Sequence, residues 1–68
     1  MSFRIYYLSL DTKSKQSFAH RAGTTTNYIE SHLLNRYKLP RPKLMINLAN
    51  ASQGQITLAE LTNFFYNR

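Results

Sequence analysis

KQSFAHRAGTTTNYIESHLL, residues Lys15 to Leu34, reads as two short helices joined by a tight turn at Gly23. In the first, Lys15 to Ala22, the residues Phe18, Ala19 and Ala22 fall three and four apart and make one apolar face. Ala19 is small where a crossing helix must come close. Gly23 stands just past the last periodic residue, where a C-terminal cap needs a left-handed backbone. Thr24, Thr25 and Thr26 follow, and a hydroxyl there can cap the next helix. That helix carries Ile29 and Leu33 on one side and Asn27, Glu30 and Ser31 on the other. One helix pinned across another, with a polar face turned outward, is what a helix-turn-helix requires.

The totals set bounds on what such a unit can be. Sixty-eight residues make one small domain, whose core is marginal without help. No cysteine is present, so neither a disulfide nor a thiolate metal site supplies that help, and dimerisation is the remaining common route. The missing cysteines fit a reducing cytoplasm. Nine Lys or Arg against three acids give a net charge of +6, which favours an anionic partner, nucleic acid or an acidic membrane, beyond its plain effect on solubility. No run approaches the ~20 apolar residues of a membrane span. The start, MSFRIYYLSLD, has Arg4 inside it and no long apolar centre, so it makes a poor signal peptide. A soluble intracellular protein is expected.

Outward from the central stretch, Phe3, Tyr6, Tyr7 and Leu10 recur at helix spacing, although the alternation of Phe3, Ile5 and Tyr7 would also suit a strand. The spacing predicts a helix over Ser2 to Leu10. Asp11 and Thr12 end it, and Ser14 can cap the helix that follows. Lys13 and Lys15 beside that start are unfavourable for the helix dipole unless a phosphate docks there; otherwise they are solvated surface. After Leu34 comes NRYKLPRP, Asn35 to Pro42, a loop with two prolines and with Arg36, Lys38 and Arg41, followed at once by Lys43. Pro42 suits the first turn of a fourth helix running to about Ala51, with Leu44, Met45, Leu48 and Ala49 on its apolar side. Ser52-Gln53-Gly54 ends it. Thr57 to Glu60 is a capping-box pattern opening a last helix, whose stripe is Leu58, Leu61, Phe64 and Phe65 and which runs to about Tyr66. No internal repeat or domain linker is visible.

AHRAGTTTNYI, then the basic loop RYKLPRPKL, then a helix, then SQGQITLAEL resembles the small phage-type Cro and YdaS-like helix-turn-helix regulators. The matching pieces are Ala22-Gly23-Thr24, Tyr28-Ile29, Arg36 to Pro42, and Gly54 to Leu61, in the family's order, within a likeness that covers about Phe3 to Leu61. The resemblance implies an all-α, five-helix, lambda-repressor-like domain that binds operator DNA, usually as a dimer on an inverted repeat, with no cofactor. Two departures stand out. His32 occupies the place of the family's second aliphatic anchor, with Leu33 beside it, and no proline follows the Glu60-Leu61 pair.

On that pattern Thr25, Thr26, Asn27, Glu30 and Ser31 face base edges, and Asn27 has the donor–acceptor pair that bridges adenine. Lys15, Gln16, Tyr28, Arg36, Lys38, Arg41 and Lys43 are phosphate contacts, which fix register and supply salt-dependent affinity. The alternative is polar surface on an exposed helix. His20 and His32, with no cysteine and three scattered acids, make a poor metal set, and no nucleophile–base pair is visible, so an enzyme is the least expected class. Phe64, Phe65 and Tyr66 cannot all point into one helix face. Their exposed members would form a dimer interface unless they fold back over the core. The rival readings are a helix-turn-helix scaffold that grips a protein partner and a basic amphipathic segment at a membrane surface.

Overall fold

A computed structural model describes residues 2–66, and every regular element in it is helical. The order is α1 (Phe3–Ser9), α2 (Thr12–Arg21), α3 (Thr26–Tyr28) continuing into a π-helical turn (Ile29–Leu33), α4 (Pro42–Ala51) and α5 (Leu58–Tyr66). α2 packs on α4, α4 on α5, and α5 on α1, so the chain closes around a single apolar cluster. Phe3 sits at its centre. Its ring lies 5.6–6.2 Å from those of Tyr7, Phe18, Phe64 and Phe65, tilted against each. Tilted and edge-on geometry lets the ring edges meet the π-faces.

The first segment is a helix and not a strand. Its 3.6-residue period puts Phe3, Tyr6 and Tyr7 inside, whereas alternation would bury Ile5, which is 63% exposed. The Ser2 hydroxyl accepts from the Ile5 N–H and caps it. α2 starts three residues before the expected Lys15. Asp11, not Ser14, is its N-cap: the carboxylate accepts from the Ser14 N–H at 2.7 Å. A charged cap also answers the helix dipole, which a neutral serine does not. That backbone hydrogen bond, helped by the Ser14 side chain, holds the Asp11 carboxyl below its ordinary range.

The turn after α2 is a Schellman cap. Gly23 has φ +77°, its N–H reaches the His20 carbonyl at 3.0 Å, and the Thr24 N–H reaches the Ala19 carbonyl at 2.9 Å. Thr25 caps α3 by accepting from the Tyr28 N–H. The α-helix then widens: the Leu34 N–H bonds the Ile29 carbonyl, five residues back, at 2.9 Å. The wider turn lets Ile29, Leu33 and Leu34 all enter the core. His32 is left half-buried and edge-on to Tyr28 at 5.0 Å, so the two leucines after it serve as the apolar anchor. Arg36, at φ +59°, ends the segment with the left-handed conformation usually given to glycine, and its guanidinium lies over the Phe64 ring at 4.4 Å.

α4 begins at Pro42, as its sequence predicts. The capping box of α5 is complete, with the Glu60 carboxylate accepting from the Thr57 N–H at 2.9 Å and the Thr57 hydroxyl accepting from the Glu60 N–H at 3.1 Å. Of Phe64, Phe65 and Tyr66, the three aromatics expected to have exposed members, two fold back over the core. Phe64 and Phe65 are buried beside Phe3, and only Tyr66 is exposed, its hydroxyl donating to the Pro40 carbonyl at 2.6 Å. Both rings pack on Phe3, and the Arg36 guanidinium covers Phe64.

Two substitutions test this packing by chemical denaturation. Phe65→Ala should cost about 3–5 kcal/mol, enough to unfold most of a domain this small. Gly23→Ala should cost about 1 kcal/mol, because an added Cβ meets no atom and only the backbone conformation is penalised.

Candidate functional site

The second helix of the central unit is fixed from below and polar above. Ile29 and Leu33 are fully buried, while Thr25, Asn27, Glu30 and Ser31 are exposed and Thr26 is half-exposed. The Ser31 hydroxyl donates to Asn27 Oδ1 at 3.3 Å, which orients the amide and leaves its NH₂ pointing to solvent chemistry. Thr25 uses its oxygen as a helix cap, so only its O–H remains to donate. Glu30 differs from the other four. Its Oε2 accepts from the Tyr7 hydroxyl at 2.8 Å, which turns the carboxylate back toward α1 and makes it a strut for the helix.

Beside this face lies an open cleft of about 560 Å³. Its walls are the Gly23-Thr24 turn, Tyr28, the loop residues Lys38 to Arg41, and Lys43, Leu44 and Asn47 of α4. The first turn of α4 has neither a side-chain cap nor an acid, so its N–H groups carry the positive end of the helix dipole toward that opening. Lys38, Arg41 and Lys43 are all exposed and have no side-chain hydrogen bond among the described residues. Three cations, a phenol and an amide around an uncapped helix start make a seat for an oxyanion such as phosphate.

Four of the seven residues expected to touch phosphate thus stand together: Tyr28, Lys38, Arg41 and Lys43. The other three do not join them. Lys15 lies over the Tyr7 ring at 5.5 Å, Arg36 covers Phe64, and Gln16 is exposed on α2. Two further arginines are ties within the fold. Arg4 donates to the Leu34 carbonyl and to Asn35 Oδ1, both at 3.3 Å, and Arg21 donates twice to the Ala51 carbonyl, at 2.8 and 3.2 Å, across the end of α4. Asn47 and the Gly23-Thr24 backbone are members of the cleft that sequence reasoning missed. The signal for Asn47 was a lone amide in the otherwise apolar run Leu44 to Ala49. His20 is exposed on α2 and His32 is against Tyr28, and no group of three His, Cys, Asp or Glu clusters among the described residues. No helix of the described residues is long and apolar enough to cross a membrane.

The buried Tyr7 phenol, bonded to Glu30, gives the stability of the fold a pH dependence. Burial first, then the hydrogen bond and negative charge of Glu30, push the Tyr7 phenol well above its ordinary value. The unfolded chain therefore loses this proton near pH ~10 while the folded chain keeps it, and stability falls as pH rises beyond that point. Thermal unfolding between neutral and strongly alkaline pH should show the decline, and Tyr7→Phe should flatten it at a cost of about 1 kcal/mol at neutral pH. An unchanged alkaline slope in Tyr7→Phe would show that other groups set it. In comparison with known proteins, no family model, no curated protein and no solved structure matches this chain.

Proposed function

We propose that the chain is a single lambda-repressor-like helix-turn-helix domain: a DNA-binding transcriptional regulator of the Cro-like phage type, acting in the bacterial cytoplasm as a repressor on an inverted-repeat operator. The observation that carries this reading is the adjacency of two surfaces. An exposed polar helix face (Thr26, Asn27, Ser31), held by buried Ile29 and Leu33, lies next to a cleft lined by Tyr28, Lys38, Arg41 and Lys43. A helix reads base edges only when its flanks are clamped to the backbone, and phosphate contacts beside the reading face do that clamping. The net charge of +6 supports the same partner.

In this reading Asn27 bridges an adenine, with Ser31 holding its carbonyl, and Thr26 offers a methyl to thymine and a hydroxyl to a base or phosphate. Lys38, Arg41, Lys43 and the first turn of α4 take one stretch of phosphates. Lys15 and Gln16 reach another if the Lys15 side chain leaves the Tyr7 ring. Glu30 positions the helix through Tyr7 instead of accepting from cytosine. Two copies set their reading helices about 34–36 Å apart in successive major grooves, and repression follows from blocking polymerase. A second reading, a scaffold that grips another protein, is favoured by one feature, the apolar groove between α4 and α5.

Titration of DNA from upstream of the chain's own gene, against scrambled DNA, tests the reading. The upstream site should bind tighter by ~10³ or more. Asn27→Ala should weaken that site by roughly 1–3 kcal/mol and leave scrambled DNA nearly unchanged. Lys38→Ala should weaken both alike and reduce the salt slope by about one. Equal losses for both variants on both DNAs would refute the division of roles.

A further inference from the structure

The basic cleft beside the polar helix is deeper than contact with DNA requires. A duplex backbone lies across a protein surface as a continuous strand of phosphates and does not enter a walled hollow. This hollow has a volume of about 560 Å³, within the roughly 300–1,000 Å³ of sites that enclose small molecules. Its lining is of two kinds. Ala22 and Pro40 are buried and Leu44 packs against the core, so these three make an apolar floor. Lys38, Arg41 and Lys43 are exposed at the rim. A phosphate clamp alone has no use for such a floor.

Three features define what fills it. First, the charge is uncompensated. No acid lines the cleft, and the chain's three acids are engaged elsewhere: Asp11 caps α2, Glu30 accepts from the Tyr7 hydroxyl, and Glu60 closes the capping box of α5. Second, the polar groups of the cleft are unused. Arg4, Arg21 and Arg36 are tied within the fold, whereas the side chains of Lys38, Arg41, Lys43 and Asn47 and the Tyr28 hydroxyl make no hydrogen bond among the described residues. Third, the half-buried Asn47 brings an amide to the hollow, and Tyr28 brings a ring. An amide has the donor–acceptor pair that matches the edge of adenine, and an aromatic ring is a platform for a base. A cationic rim, an apolar floor, a ring and an amide together answer the parts of a nucleotide: phosphate, flat base and base edge.

We infer that the cleft binds an adenine nucleoside monophosphate, with Lys38, Arg41 and Lys43 on the phosphate, Tyr28 and Leu44 against the base, and Asn47 on its edge. The same three cations are assigned to the DNA backbone, so nucleotide and DNA exclude each other, and the nucleotide acts as an effector that releases the regulator. That exclusion rests on the regulator reading. The binding site does not, and the two are measured separately.

Titration of the isotope-labelled full chain with adenosine 5′-monophosphate, without DNA, reads the site. Backbone shifts should cluster on Gly23, Thr24, Tyr28 and Lys38 to Asn47. The nucleotide should bind about tenfold or more tighter than inorganic phosphate or adenosine alone. Arg41→Ala should weaken it about tenfold. Asn47→Leu should keep the phosphate-driven affinity and erase the preference for adenosine over uridine monophosphate. Both positions lie outside the buried core, and both variants should stay folded by circular dichroism. With duplex present, the nucleotide at about ten times its dissociation constant should weaken DNA binding about tenfold. A nucleotide bound no tighter than inorganic phosphate, shifts away from the cleft, or affinity and base preference unchanged in the two variants each overturn the site. A nucleotide that binds without weakening the duplex overturns its role as effector. A chain that binds the nucleotide as described but no duplex sinks the regulator reading and upholds the site; one that binds the duplex and not the nucleotide does the reverse.

Discussion

A chain of 68 residues without cysteine depends on how many large rings it can bring to one point. Here that point is Phe3. It touches Tyr7 within its own helix, Phe18 from α2, and Phe64 and Phe65 from the far end of the chain. The first and last helices are thereby fixed to each other through a residue near the N-terminus. Ile29, Leu33, Leu48 and Leu61 belong to the same buried cluster. The constraint is severe, because each aromatic spent inside is unavailable at the surface, and it decides where an interface can form.

The same core reaches the polar face through a few specific links. Tyr7 is buried at its ring and ends in a hydroxyl on Glu30. Arg4, one turn earlier on α1, holds the end of the π-helical segment by donating to the carbonyl of its C-cap, Leu34. α1 therefore braces the polar helix at two points, while the Schellman turn at Gly23 sets its angle to α2. Arg21 performs the parallel task for α4 by closing its C-terminal carbonyl. In the proposed DNA-reading role, a helix braced in this way would lose little conformational freedom on binding, which favours affinity and register together.

Local signals were legible in the sequence, and distant ones were not. Gly23 after a periodic apolar face, Pro42 at a helix start and Thr57 with Glu60 all act within a few residues, and each does what its pattern implies. Asp11 was misread because two caps competed, Asp11 and Ser14, and the earlier, charged one prevails. The widening at Ile29 to Leu34 left only a trace, a histidine where an aliphatic was wanted and two leucines after it. The ties made by Arg4, Arg21 and Arg36 were not legible because their partners lie about thirty residues away. The cleft was half-visible: its cations lie close in sequence, but Asn47 and the Gly23-Thr24 backbone come together with them only through the packing of α2 on α4.

Chemical-shift mapping of the isotope-labelled chain with a short operator-length duplex tests the central claim most directly. The largest backbone changes should fall on Thr25 to Ser31 and on Lys38 to Leu44, with Leu58 to Tyr66 moving only as far as self-association requires. Changes confined to the α4–α5 groove, or none at a salt concentration where the fold is intact, would contradict a DNA-reading role for the polar helix and its basic cleft.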